Sequence, residues 1–106
     1  MNLLPQLSFS ILVALSLRPR HGYEIMKQVN EDSLGKINLG PGSLYTAIKQ
    51  LSEEGLIEEV PGETDRRRNY RLTKKGLERL NAELQYFDNT VKLAKQRNVY
   101  EAMLSV

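Results

Sequence analysis

The chain has 106 residues, of which 41% are hydrophobic and 26% charged, with a net charge of only +2. This is the composition of one globular domain with a small core. There is no Cys and a single His, His21, which excludes disulfides, thiolate metal sites and multi-histidine metal sites and leaves acid–base catalysis without partners, so no enzyme, metal or cofactor is expected.

The first expected helix runs from about Leu4 to Leu17. Leu7, Phe9, Ile11, Leu12, Val13 and Leu15 surround it, which predicts burial on most sides. Pro19, within Arg18-Pro19-Arg20, stops it because proline cannot continue the hydrogen-bond ladder. The most apolar stretch, Leu7 to Leu17, is far shorter than the roughly 20 residues of a membrane span. No basic residue precedes it and no cleavage pattern follows it, so the reading is a cytoplasmic protein.

A second helix opens at His21-Gly22 and continues to about Asn30, with Tyr23, Ile25, Met26 and Val29 as its apolar stripe. His21 reads as a cap or a surface residue. Glu31 to Gly40 reads as a polar connection. The third helix starts at Gly40-Pro41-Gly42-Ser43, where proline suits a first turn. Leu44, Ile48 and Leu51 form its core face, and Gly55 suits a left-handed stop with Leu51 and Leu56 as the accompanying apolar pair. Ser43, Thr46, Lys49, Gln50 and Glu53 are left on the opposite face.

Leu56 to Val60 and Asn69 to Thr73 read as short strands, joined by a turn-rich loop too long for a tight hairpin. Charge is segregated here. Ser52 to Asp65 carries six negative charges and no positive one, and Arg66 to Gly76 carries six positive charges and no negative one. A helix followed by a basic hairpin is the outline of a winged helix-turn-helix, in which one helix enters the major groove and the hairpin reaches phosphate or minor groove.

Thr73 caps the fourth helix. Leu77, Leu80, Leu84, Phe87, Val91 and Ala94 then follow at alternating spacings of three and four, with Asn98 on the next place, as in a coiled-coil seam. Leu77 and Leu80 are expected to pack on the core. Leu84, Phe87, Val91 and Ala94 are expected to pair two copies of the chain, and Asn98 to help fix their register.

The third helix carries residue types that read base edges. Gln50 can bond adenine twice, Lys49 can reach guanine or phosphate, and Ser43 and Thr46 can touch either. Tyr45 could place its hydroxyl on a phosphate. Arg66, Arg67 and Arg68 repel one another at a loop tip and gain little from burial, which points to DNA contact. Lys74 and Lys75 oppose the helix dipole by roughly 0.3–1 kcal/mol each, and a docked phosphate would reverse that. Gly76 costs about 1 kcal/mol relative to Ala in a helix; close approach of a backbone or of DNA explains it as well as a frayed first turn does. The pairs Glu53/Glu54 and Glu58/Glu59 point apart and read as solvated.

His21-Gly22-Tyr23-Glu24-Ile25, Gly42-Ser43-Leu44-Tyr45-Thr46-Ala47-Ile48-Lys49-Gln50-Leu51, Glu54-Gly55-Leu56-Ile57 and Arg68-Asn69-Tyr70-Arg71-Leu72-Thr73-Lys74-Lys75-Gly76 occur in an order and spacing that resembles the PadR family of bacterial transcriptional regulators. The resemblance covers about Leu4 to Leu84, with Asn69 a departure from the usual aromatic residue. It implies a homodimeric repressor with Ser43, Tyr45, Thr46 and Lys49 on the recognition helix, Tyr23 at the start of helix two, and the wing arginines on flanking DNA. Some relatives take small hydrophobic or phenolic inducers between protomers, but the resemblance transfers no particular inducer to this chain.

The expected fold class is therefore mainly α with a small β-hairpin (α+β), a winged helix-turn-helix with a C-terminal dimerisation helix. Residues 1–76 would form the DNA-binding unit and 77–106 a dimerisation helix that is not an independent domain. The expected partners are a double-stranded, near-palindromic operator, a second copy of the chain and an unidentified inducer. The competing reading is a winged-helix protein-interaction module that docks through its acidic stretch.

Overall fold

The computed structural model describes residues 2–62, 64 and 67–104, with backbone only for 102–104. The elements in order are α1 (Gln6–Ala14), β1 (Arg20–His21), α2 (Gly22–Asp32), α3 (Pro41–Glu53), β2 (Ile57–Pro61), β3 (Arg68–Leu72), α4 (Lys74–Gln96) and α5 (Val99–Leu104). The three strands form one antiparallel sheet in the order β1-β3-β2. This is a helix-rich α+β fold with the winged-helix element order.

Ile11, Leu12, Ile25, Val29, Leu44, Ile48, Leu51, Leu56, Ile57 and Leu80 form the core. All but Leu56, which lies in the turn between α3 and β2, come from the inward side of a helix or strand, so helices α1 to α3, the sheet and the start of α4 share one apolar centre. The first helix ends at Ala14 rather than Leu17. Arg20, itself buried, donates from Nε to the Ala14 carbonyl at 2.8 Å and satisfies the helix end. The same residue then pairs with Tyr70 as a two-residue strand, which adds a third strand to the expected hairpin.

The expected stop after α3 is present in detail. Gly55 is left-handed at φ 75°. The Leu56 N–H donates to the Leu51 carbonyl, and the Gly55 N–H to that of Ser52, both at 3.0 Å. Leu51 and Leu56 are both buried, which completes a Schellman motif. The stop of α2 has the same pattern with a costlier residue. Leu34 takes the left-handed place at φ 56°, and the Gly35 N–H donates to the Asn30 carbonyl at 2.8 Å.

The start of α4 is tied to the end of α3. The Thr73 hydroxyl donates to the Gly55 carbonyl at 2.6 Å and accepts the Gly76 N–H at 3.0 Å. Gly76 is required by backbone approach, since a Cβ there would lie 1.9 Å from the Leu56 carbonyl oxygen. The frayed-turn explanation of Gly76 fails, because Gly76 is itself buried against the Leu56 backbone.

Helix α4 runs unbroken past position 76, and its first three turns belong to the core through Gly76, Leu80 and Glu83. These fall at i, i+4 and i+7 on one face. Leu77, expected inside, is rotated off that face and is 49% exposed. Asn98 departs from its expected seam role. It is left-handed at φ 56° and donates its N–H to the Lys95 carbonyl at 3.1 Å, so it ends α4 before α5 begins. The distal part of α4 projects from the domain, and the molecule is accordingly elongated, with extents of 57 × 27 × 21 Å.

Candidate nucleic-acid interface

Helix α3 presents one continuous exposed face. Leu44, Ala47, Ile48 and Leu51 are buried, while Ser43, Tyr45, Thr46, Lys49 and Gln50 are exposed. At about 100° per residue these five side chains span one half of the helix, with Tyr45 at one margin, Ser43 and Gln50 at the other, and Lys49 and Thr46 between. All five expected recognition residues thus share a surface.

Each margin of that face borders a hollow. On the Tyr45 side, a cleft of about 480 Å³ is lined by His21, Gly22, Tyr23, Tyr45, Arg67, Arg68 and Tyr70. It brings together Tyr23, Tyr45 and two of the three wing arginines, which are remote from one another in sequence. Arg66 lies outside the described residues. On the Gln50 side, Ser43, Thr46 and Gln50 share a groove of about 470 Å³ with Pro5, Leu7 and Ser8 of the chain's start.

The local structure explains the first cleft. His21 and Glu24 form a reciprocal cap at the start of α2. The Glu24 N–H donates to His21 Nδ1 at 3.4 Å and the His21 N–H to the Glu24 carboxylate at 3.3 Å. The cap role expected for His21 is therefore present. Arg18 also donates to Glu24 at 2.9 Å, and this bond, the largest contribution, holds the Glu24 carboxyl below its ordinary value despite some burial. Gly22 leaves room for Tyr45. A Cβ on Gly22 would lie 2.8 Å from the Tyr45 hydroxyl, so the phenol leans over the start of α2. Tyr70 forms the floor, and burial, reinforced by the Glu59 carboxylate, pushes its hydroxyl above the usual tyrosine range.

The charge blocks that the sequence separates are folded against each other. Glu58 stands directly opposite Arg71 in the β2–β3 ladder, with Nε to Oε1 at 2.8 Å. Arg68 Nε lies 3.2 Å from Glu59 Oε1 across the diagonal of the ladder. Among the described residues, Arg67 makes no ion pair. Its backbone lies close to Gly62, where a Cβ would lie 2.1 Å from the Arg67 carbonyl oxygen.

Lys74 and Lys75 stand apart from both hollows. Lys75 Nζ donates to the Glu54 carbonyl at 2.9 Å, which places its cation on the carbonyl end of α3, where the dipole favours it. Lys74 is exposed beside it. Leu84, Phe87 and Val91 are exposed and Ala94 is half-buried. Phe87 also packs edge-on against Phe9 of α1, with centroids 5.3 Å apart.

Sequence reasoning missed Glu83. It is fully buried, accepts the Leu4 N–H at 2.8 Å and pairs with Arg79 at 2.8 Å. Arg79 reaches on to the Asn2 carbonyl, so the chain's start is fastened to α4. A Glu four residues after an Arg on a helix was the one available signal, and it reads equally well as a surface pair. Among the described residues no cluster of three or more potential metal ligands occurs, and no helix is long and apolar enough to cross a membrane.

Known proteins share this fold. The chain is similar in structure to a transcriptional regulator from Clostridium thermocellum, with 27% identity and a TM-score of 0.73 over 85% of this chain and 87% of that one. A PadR family regulator from Clostridium difficile is 28% identical, with a TM-score of 0.74 over 87% of this chain and 97% of that one. Bacillus subtilis PadR, solved in complex with operator DNA, is 25% identical, with a TM-score of 0.65 over 76% of this chain and 48% of that one. No curated protein matches the sequence. The transcriptional regulator PadR-like family matches residues 11–82, most of the winged-helix core, and the chain belongs to that family.

Proposed function

We propose that this chain binds a double-stranded DNA operator as a homodimer and represses transcription by occupying it. The observation that carries the reading is the cleft that gathers Tyr23, Tyr45, Arg67 and Arg68 along one margin of the exposed α3 face. Phosphate contacts fix register and base contacts specify sequence. In this reading the cleft supplies the first, and Ser43, Thr46, Lys49 and Gln50 supply the second. Arg66 belongs with the wing contacts on its charge. Lys74 and Lys75 are outlying contacts, since Lys75 is already engaged with Glu54.

Residues 1–76 form the DNA-binding unit, and the distal part of 77–106 pairs two copies. The exposed apolar side chains Leu84, Phe87 and Val91, with Ala94, support that pairing, because a solvated helix gains nothing from such a row. Two-fold symmetry then gives a near-palindromic operator with half-sites separated by about 10–10.5 base pairs or a multiple. The site of action is the cytoplasm, and an inducer held between protomers would act by shifting the spacing of the two α3 helices.

The rival, a protein-docking winged helix, needs a free acidic surface between Glu53 and Asp65. Glu58 and Glu59 are both engaged with wing arginines, which favours the DNA reading. Selection from a pool of random duplexes at physiological salt tests it. An enriched near-palindrome is expected. Retention without a shared motif would contradict operator binding, and no retention would favour the docking module.

A further inference from the structure

The two carboxylates of β2 stand on opposite faces of the wing. Glu58 shares its face with Arg71 directly across the ladder. Glu59 shares the other face with buried Ile57 and Tyr70 and with Arg68 on the diagonal. The difference decides what each carboxylate meets. Glu59 lines one hollow with Arg67 and Arg68, and the same two arginines line the cleft with Tyr23 and Tyr45. A fixed negative charge therefore sits among the side chains assigned above to DNA phosphates.

Stability does not explain it. Glu59 and Arg68 are both well exposed, with side chains 48% and 73% accessible, and exposed pairs contribute little to folding. The consequence falls on binding. Phosphate contacts release counterions in proportion to the charge the protein supplies, and a carboxylate bonded to Arg68 subtracts from that charge at the contact.

We infer that Glu59 is an internal competitor for Arg68, which occupies the guanidinium in the free protein as a DNA phosphate would and caps the electrostatic share of DNA affinity. Any duplex must displace Glu59 to use Arg68 fully. The increment from base contacts is untouched and so makes up a larger part of the total. This rests on the DNA-binding reading and names a residue that tunes it.

The test is a salt titration of the full chain on a scrambled fluorescent duplex, comparing wild type with Glu59→Gln, Glu58→Gln, Arg68→Gln and the double variant Glu59→Gln/Arg68→Gln. Glu59→Gln is expected to tighten binding roughly threefold to fivefold at low salt, the range open to an exposed pair. It should steepen the slope of log affinity against log salt by about 0.9. Glu58→Gln, which removes the same charge from the opposite face, should have less than half that effect. Arg68→Gln should weaken binding more in the Glu59→Gln background than in wild type. An unmoved slope in Glu59→Gln would overturn the inference alone, as would an equal effect of Glu58→Gln, which would reduce the matter to net charge. A wild-type chain that binds no duplex at low salt would overturn the DNA-binding reading and the inference with it.

Discussion

One helix contains two regions that obey different rules. In the first three turns of α4, Leu80 is 4% exposed and Glu83 is fully buried while Leu77 and Leu84 lie on the outer side at 49% and 45%; beyond them Phe87 and Val91 are 39% and 40% exposed, and no apolar residue of the row is fully buried. The spacing of apolar residues is the same throughout. What changes is the neighbour. The proximal turns set one face on the winged-helix core, whereas the distal turns extend beyond it after Phe87 meets Phe9 of α1. A regular apolar row therefore records only that something covers it, and only the fold tells whether the cover belongs to the same chain.

The largest expected effect tests the proximal region. Leu80→Ala should lower unfolding free energy by about 2–5 kcal/mol in denaturant titration, from lost burial and a residual cavity. Glu83→Ala removes the acceptor for the Leu4 N–H and the carboxylate partner of Arg79, which keeps its bond to the Asn2 carbonyl, and should lose about 2–3 kcal/mol by the same measurement. The distal counterpart, Val91→Asp, should leave proximal packing intact while shifting sedimentation from dimer to monomer at micromolar concentration. A Val91→Asp chain that sediments as wild type does would remove Val91 from the interface and erase the proposed division of α4.

A smaller effect concerns two of the left-handed helix stops, those of α2 and α3. Gly55 is already the favoured residue, whereas Leu34 is exposed at φ 56°. Leu34→Gly should therefore raise stability by about 1 kcal/mol, read as a higher thermal midpoint. A fall would show that the Leu34 side chain makes contacts that outweigh its backbone strain.

The smallest effect is pH-dependent. Glu24 has its carboxyl held below the ordinary value of 4.5, chiefly by the Arg18 bond. A group whose folded pKa is depressed stabilises the fold above its unfolded pKa, and that stability is lost as pH falls through the folded value. Arg18→Met should therefore lower stability slightly at neutral pH and converge with wild type as pH falls through the folded value of Glu24, which flattens the acid side of the stability profile. An identical acid limb in both proteins would show that Arg18 does not stabilise ionised Glu24.

Much of this fold is legible in local sequence. Gly55 with Leu51 and Leu56 announces the end of α3, Thr73 the start of α4, and the 44-48-51 stripe the buried side of α3. These signals act within a turn or two of the residues that carry them. The parts that escape are those fixed by distant partners. Arg20–His21 becomes a strand because β3 offers a free edge, not because two polar residues favour one. Leu77 and Leu80 are both apolar, and only the angle at which α4 meets the core separates them. Glu83 resembles a surface carboxylate until the chain's start is laid over it. The acidic and basic blocks look segregated along the chain, whereas the hairpin register pairs Glu58 with Arg71 and Glu59 with Arg68. The candidate site shows the same division. Its residue types on α3 can be read locally, but the meeting of Tyr23, Tyr45, Arg67 and Arg68 in one cleft is a product of tertiary structure.

The central claim, that the α3 face reads bases while the wing grips phosphate, is tested most directly by measuring the affinities of wild type, Gln50→Ala and Arg67→Ala across a panel of selected operators with single base-pair changes at fixed salt. The account predicts that Gln50→Ala loses about 1–3 kcal/mol of discrimination at one base pair. It predicts that Arg67→Ala weakens every duplex alike and reduces the salt slope by about 1. A uniform loss on every sequence for Gln50→Ala, or a base-specific loss for Arg67→Ala, would contradict it.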